Sequence, residues 1–96
     1  MVLKYPVIFT ETGDRKDTYL VEIPDLDGVT EGYGIDDAIE MARDYICSYC
    51  SNMSEEEYPN ASNAEVIDLS KAKFSEAGRS VVSMVEADID QYREMQ

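Results

Sequence analysis

Apolar residues recur every three or four positions between residues 35 and 53, and this repeat constrains the fold more than any other feature of the sequence. Gly34 is an acceptable N-cap for a helix here, and Asp36 and Asp37 suit the positive end of its dipole. The pattern predicts an amphipathic helix over residues 35–53 with one buried face. That face comprises Ile35, Ala38, Ile39, Ala42, Tyr45, Ile46, Tyr49, Cys50 and Met53.

Four other segments have the composition of β-strands, namely residues 3–10, 18–23, 29–33 and 79–89. Pro6 lacks a backbone N–H, so the first strand is predicted to have a free side or a local irregularity there. Three strands, a helix and a fourth strand predict an α+β fold of order β-β-β-α-β, with the helix packed on one face of the sheet. A chain of 96 residues has room for one core, so residues 1–96 are predicted to form a single domain.

The segments between these elements are predicted as turns, loops and a helical tail. Residues 64–69 fit either a helical turn or a short extended piece, and this alternative stays open on the sequence alone. The remaining segments are the turns at Gly13-Asp14 and Pro24–Gly28, the loops at 54–63 and 71–78, and the helical tail at 90–96.

The charge balance limits the classes of partner. The chain has 21 acidic and 8 basic residues, a net charge of −13. Nucleic-acid binding depends on clustered Lys and Arg, and the sequence has no such cluster beyond Arg15-Lys16. A strongly acidic domain instead attracts basic proteins and speeds their association. The alternative is that the acidity only maintains solubility.

The sequence predicts a cytoplasmic protein. The N-terminus lacks the apolar run of a signal peptide, and no apolar stretch approaches the roughly 20 residues that cross a bilayer. Two cysteines, Cys47 and Cys50, do not make the disulfide framework of a secreted domain. Both lie within the predicted helix, and a zinc site of four ligands has no histidine or second cysteine pair to draw on. Cys50 lies on the apolar face and is predicted to be a core residue, whereas Cys47 lies at the edge of that face.

Several carboxylates could in principle bind a metal, but the chain contains 21 acidic residues. Ribonuclease-H chemistry needs several carboxylates around two divalent ions. Glu11, Glu40, Glu86 and Asp88 are the candidates, but Glu40 falls on the polar face of the helix, and so many acids will match by chance. The segment Asp25–Gly28 lacks the spaced ligands of a calcium loop and is predicted to be a turn. We therefore expect no metal, no cofactor and no enzymatic activity.

A Pro-Asp turn with two glycines lies at residues 23–32, and an acidic, alanine-containing helix follows at residues 36–43. Together these motifs resemble the N-terminal domain of HicB-type antitoxins. Residues 23–32 are similar to the family signature, in which an aliphatic or aromatic residue precedes Pro-Asp and a Gly, a Thr and a second Gly follow. Residues 36–43 match its acidic, alanine-containing helix. Residues 5–9 and 83–89 are similar to its first and last strands. The resemblance covers nearly the whole chain, and the order and spacing of the motifs carry it.

The resemblance implies a partly degraded ribonuclease-H-like fold and a non-enzymatic role. HicB-type proteins neutralise HicA, a small basic ribonuclease, by covering its catalytic face, and they generally form dimers or larger assemblies. Many also carry a DNA-binding domain that represses their own operon. Only seven residues follow Ile89 here. We therefore expect no such domain and no operator binding. Whether the natural chain extends past Gln96 stays open.

The leading hypothesis is that the chain binds and neutralises a small basic HicA-like toxin, forms a homo-dimer or higher oligomer, and contacts neither nucleic acid nor membrane. The predicted partner-binding residues are Asp25, Asp27, Glu31 and Tyr33, near the second turn and the third strand. One alternative is an orphan module that self-associates and has no toxin. The least favoured alternative is a residual metal-dependent nuclease.

Overall fold

A computed structural model describes residues 1–13 and 15–95 and contains one four-stranded antiparallel sheet. The strands lie in the order β3-β2-β1-β4, and the main helix joins β3 to β4. This arrangement confirms the α+β class and the element order β-β-β-α-β. The ribonuclease-H-like relation stays a prediction. The bounds are β1 Val2–Thr12, β2 Thr18–Ile23, β3 Gly28–Tyr33, α1 Ile35–Cys50, β4 Gly78–Asp88 and α2 Ile89–Glu94.

The core lies between α1 and one face of the sheet. The side chains of Tyr5, Val7 and Phe9 alternate along β1 and are buried on this face. From α1, four buried side chains repeat at helical spacing, as the sequence predicted, and Cys47 is buried beside them: Ala38, Ala42, Ile46, Cys47 and Cys50. The helix ends at Cys50, three residues before the predicted end at Met53. Apolar burial on one face of each element therefore holds the helix to the sheet.

The helix packs closest against β3, where the sequence supplies small residues. A Cβ added to Gly32 would lie 2.5 Å from the Cα of Ala38, and one added to Gly28 would lie 2.2 Å from the ring of Tyr45. Gly34 caps the helix at φ 89, a left-handed value that favours glycine. These glycines allow a one-residue connection between strand and helix.

The second face of the sheet is also buried over part of its area. Pro6, Ile8 and Thr10 point away from α1, yet each is buried. Residues 66–72 lie against this face beside Ile8 and Glu22. They belong to residues 54–77, which we call the covering segment. Its short 3-10 turns lie at Glu55–Glu57, Ala64–Val66 and Leu69–Lys71. This resolves the alternative at residues 64–69 in favour of a helical turn, although the sequence did not predict that the segment covers the sheet.

Polar contacts attach the covering segment to the sheet. The hydroxyl of Tyr5, on the face that bears α1, donates to the carbonyl oxygen of Pro59 at 2.7 Å, so the start of the segment is held from that side. The backbone N–H of Lys73 donates to Oε1 of Glu22 at 3.0 Å, and Glu22 is a buried carboxylate. The bonded groups on the sheet are thus satisfied by the segment rather than left unpaired beneath it.

Pro6 lies where the sequence predicted a strand with one free side. It pairs with Met84 of β4 on one side, whereas the pairing of β1 with β2 begins only at Ile8. The missing N–H of the proline therefore leaves no ladder bond unmade.

The chain's last described residues form the predicted helical tail as α2. Asp14, in the predicted hairpin turn, and Gln96, in the tail, lie outside the described residues. Among the residues that the structure describes, no helix is long and apolar enough to cross a membrane.

Candidate partner-binding surface

Strand β3 lies at one edge of the sheet and carries or adjoins the predicted partner-binding residues. Within the described chain it pairs only with β2, so the backbone groups on its outer side have no strand to bond. Asp27 precedes the strand and Tyr33 ends it. At about 3.3 Å per residue, these two residues lie about 20 Å apart. The predicted residues thus form a line along one edge and do not converge on a pocket.

The turn that leads into β3 is built by the predicted Pro24–Gly28 segment. Pro24 begins a 3-10 turn, and the N–H of Asp27 donates back to the carbonyl of Pro24 at 3.1 Å. Asp27 then adopts φ 49, a left-handed conformation that Asp tolerates better than most residues. The local backbone explains why Asp and Gly occur here, as the sequence predicted for a turn.

Asp25 is engaged within the chain. Its carboxylate oxygens accept hydrogen bonds from the backbone N–H of Ser62 at 2.8 Å and from the Ser62 hydroxyl at 2.7 Å. The residue is half-buried beneath the covering segment. Both contacts are charge-assisted and stabilise the position of that segment. Asp25 therefore acts first as an attachment point for residues 54–77.

Asp27 and Glu31 are exposed enough to meet a partner, but each has an internal cation. Oδ1 of Asp27 lies 2.9 Å from Nζ of Lys73, and this hydrogen bond and charge lower the pKa of the Asp27 carboxyl. Oε2 of Glu31 lies 3.1 Å from a guanidinium nitrogen of Arg15. Ion pairs this exposed contribute little to stability and are readily exchanged. A basic partner can replace Lys73 or Arg15 at little cost.

Tyr33 is the most exposed aromatic side chain on this edge, with 67% of its surface accessible. Its backbone N–H donates to Oδ2 of Asp37 at 2.9 Å, which fixes the start of α1 beside it. The strand register places Val29, Glu31 and Tyr33 on the face opposite α1, where Val29 is also 44% exposed. We call these three residues the β3 row.

Sequence reasoning missed Val29 and the tyrosine pair on α1. Val29 belongs to a predicted strand, but the sequence does not indicate which face of the sheet its side chain occupies. The rings of Tyr45 and Tyr49 are stacked with centroids 6.3 Å apart, and Tyr49 remains 38% exposed. The helical repeat placed both tyrosines in the core, and for Tyr49 that prediction is wrong in part.

The carboxylates considered for a nuclease do not gather. Glu11 pairs with Arg79 near the start of β4, whereas Glu86 and Asp88 lie toward its end, about 20 Å or more along the strand. Among the residues that the structure describes, no group of three or more His, Cys, Asp or Glu could hold a metal ion. The arrangement offers no two-metal site there.

Both cysteines are free thiols buried against the sheet, which confirms the prediction for Cys50 and places Cys47, predicted at the edge of the apolar face, in the same core. Burial raises the pKa of the Cys47 and Cys50 thiols. A thiol whose pKa is raised carries less of the reactive thiolate at neutral pH. Their chemistry is that of packed apolar side chains.

An open sheet edge with an exposed tyrosine is a surface to which another protein can bind. The family described as the HicB-like antitoxin of bacterial toxin–antitoxin systems matches residues 5–96. The match spans nearly the whole chain, and the protein belongs to this family. No curated protein and no solved structure matches it. Membership implies a role in a toxin–antitoxin system with a toxin as partner, and it suggests binding rather than catalysis.

Proposed function

We propose that this protein neutralises a small basic HicA-type ribonuclease by covering its RNA-binding and catalytic face. The observation that carries the proposal is the family match over residues 5–96. The net charge of −13 supports it, because a ribonuclease that binds RNA presents a cationic face. The antitoxin would then replace the negative charge of the RNA on that face.

The toxin docks along the outer edge of β3 in this proposal. The β3 row supplies an apolar, an acidic and an aromatic side chain on one surface, and Asp27 extends it by a second carboxylate. Tyrosine is enriched among the residues that dominate binding energy. The open edge also has unbonded backbone groups that can pair with a strand of the partner. Asp25 contributes indirectly, by holding the covering segment behind this edge.

The experiment is a ribonuclease inhibition assay with the product of the gene adjacent to this one. The test variant carries Asp27→Lys and Glu31→Lys. The matched control carries Glu56→Lys and Glu65→Lys, two exposed acids of the covering segment. Both double variants change the net charge equally, so they share any loss of long-range attraction. Only the first places cations where the toxin docks.

We expect the test variant to inhibit at least tenfold less well than the control, because like charges then face each other across the interface. Its residual binding should also depend less on salt, since fewer complementary charges remain to be screened. Equal inhibition by the two variants would show that the β3 edge is not the docking surface. If wild type neither binds nor inhibits the toxin, the proposed function itself is wrong.

Tyr33 is tested separately, because its exposure lets it be removed without disturbing the core. Tyr33→Ala should weaken toxin binding by about 2 kcal/mol or more if the ring anchors the interface. Tyr49→Ala on the helix is the comparison, since it removes the same side chain from a surface outside the β3 row. Calorimetric titration of both variants measures the difference.

The proposal also includes self-association and action in the cytoplasm, where the RNA targets of such a toxin lie. The remaining candidate is a self-associating module without a toxin, and the second open edge of the sheet, at β4, favours the self-association. A small basic reading frame beside the gene whose product co-purifies with this protein supports the antitoxin. Self-association with no such partner supports the orphan module.

A further inference from the structure

The outer side of β4 is a second open edge, and it is longer than that of β3. Over its eleven residues, Gly78–Asp88, the strand pairs only with β1 within the described chain. Nε of Arg43 donates to the carbonyl oxygen of Glu86 at 2.9 Å, so the backbone groups of Glu86 face away from β1. The direction of these groups alternates along a strand. Those of Ser80, Val82 and Met84 therefore also point outward.

The composition of this edge differs from the rest of the chain. Residues 77–85 contain no acid, although the chain has 21. Val81 lies on the face of the sheet that bears α1 and is 50% exposed. Natural proteins usually protect such an edge with charges, prolines or a covering element. Here the one hydrogen bond described to an outward backbone group is that of Arg43, at the Glu86 end. The turns Ala64–Val66 and Leu69–Lys71 also contact the strand.

A shallow groove runs beside the edge, between α1 and β4. Ile39 and Arg43 line it from the helix, opposite residues 83–86 of the strand. Helix and strand run in the same direction, because the next helical turn brings Cys47 to the Asp88 carbonyl. Ile35 lies one helical turn before Ile39 and is 42% exposed. The edge has an apolar border that a second sheet can cover.

We propose that β4 pairs with β4 of a second copy of this chain, antiparallel and about a two-fold axis, to make one continuous sheet across the dimer. A two-fold axis through Val82 places Ser80 opposite Met84 and leaves the Arg43–Glu86 contact intact. No like charges then face each other in the ladder, since Arg79 lies opposite Val85. A two-fold axis makes the contact self-complementary and closes the assembly at two chains.

Charge selects a second copy over the toxin at this edge. Two chains of net charge −13 repel, so they meet most readily where acidic residues are missing. Lys4 and Arg43 flank the edge and are paired with Glu86 and Glu40. With Arg79 on the strand as well, the edge has no excess of acid to attract a basic toxin. The β3 edge has the opposite character, with Asp27 and Glu31. The two edges are therefore suited to two different partners.

This inference deepens the self-association in the proposed function, and sedimentation equilibrium of the full chain tests it. Val81→Glu adds a charge at the centre of the predicted contact, twice per dimer. Val29→Glu is the matched control, because Val29 is a valine of similar exposure, 44% against 50%, on the other edge. Val82→Pro is the second variant. It removes only an N–H that points outward, so the ladder with β1 remains.

We expect wild type and Val29→Glu to sediment as dimers of twice 10.8 kDa. The dissociation constants of Val81→Glu and Val82→Pro should rise at least tenfold, with circular dichroism like that of wild type. A wild type that stays monomeric at high concentration overturns the inference. So does a dimer that Val29→Glu disrupts and the β4 variants do not. If the proposed function holds, monomeric Val81→Glu still inhibits the toxin, so failure of the dimer and failure of toxin binding are separate results.

Discussion

The contact between β3 and α1 predicts that Gly32 cannot be replaced, even by alanine. A Cβ at this position would lie 2.5 Å from the Cα and 2.6 Å from the nitrogen of Ala38. Both atoms belong to the helix backbone, which cannot rotate away as a side chain can. Gly34 is the single residue between strand and helix, so the connection has no slack. The helix as a whole must move outward to admit the methyl group.

The magnitude follows from two opposing effects. Overpacking against a rigid neighbour destabilises by about 3 kcal/mol at the upper end of its usual range. Alanine recovers about 0.5–1 kcal/mol, because glycine is the poorer strand residue. The net loss of about 2 kcal/mol is a large part of the stability of a domain this small. It corresponds to a fall in melting temperature of about 8–16 °C.

Urea unfolding followed by circular dichroism measures this loss. Gly13→Ala is the control, because nothing lies within 4 Å of a Cβ there and the change should stay within about 0.5 kcal/mol. Gly28→Ala should fall between the two. The atom in its way belongs to the half-buried ring of Tyr45, which can swing outward. If Gly32→Ala is as stable as wild type, the close packing of α1 on β3 is wrong.

Three further predictions concern the covering segment and the buried groups. Tyr5→Phe removes the bond to Pro59 and should lower stability by about 1 kcal/mol. Burial raises the pKa of Tyr5 to about 12, so wild type should lose stability as the pH rises from 10 toward 12; thermal melts should show this loss reduced in the variant. Ser62→Ala frees one oxygen of Asp25 and should speed proteolysis within residues 54–77, while the core stays protected from hydrogen exchange. Lys73 lowers the pKa of Asp27 below 3.8, so their ion pair stabilises the fold above that pH and is lost as the pH falls through the lowered value. Asp27→Asn should therefore flatten the dependence of the melting temperature on pH below about 4. An unchanged slope would contradict the pairing.

The second face of the sheet shows where sequence reasoning stopped. Residues 54–77 read as polar loop with one uncertain turn, because their contacts are single hydrogen bonds between distant positions. Ser62 meets Asp25 and Lys73 meets Glu22, 37 and 51 residues away. Contacts between residues this far apart produce no periodic pattern in the sequence. As a result, Asp25 was predicted to face a partner, while the structure shows it bonded to the covering segment.

Local patterns determined the elements and the family of this protein. The apolar repeat from Ile35 to Cys50, the alternation in residues 18–23 and the turn at Asp27 each depend on neighbours a few positions apart, and they can be read directly. Tertiary structure decided the order of the strands, because pairing joins residues as distant as Val2 and Asp88. Strand order in turn leaves β3 and β4 at the edges. Which carboxylates remain available to a partner, and which edge lacks acids, follows from that pairing alone.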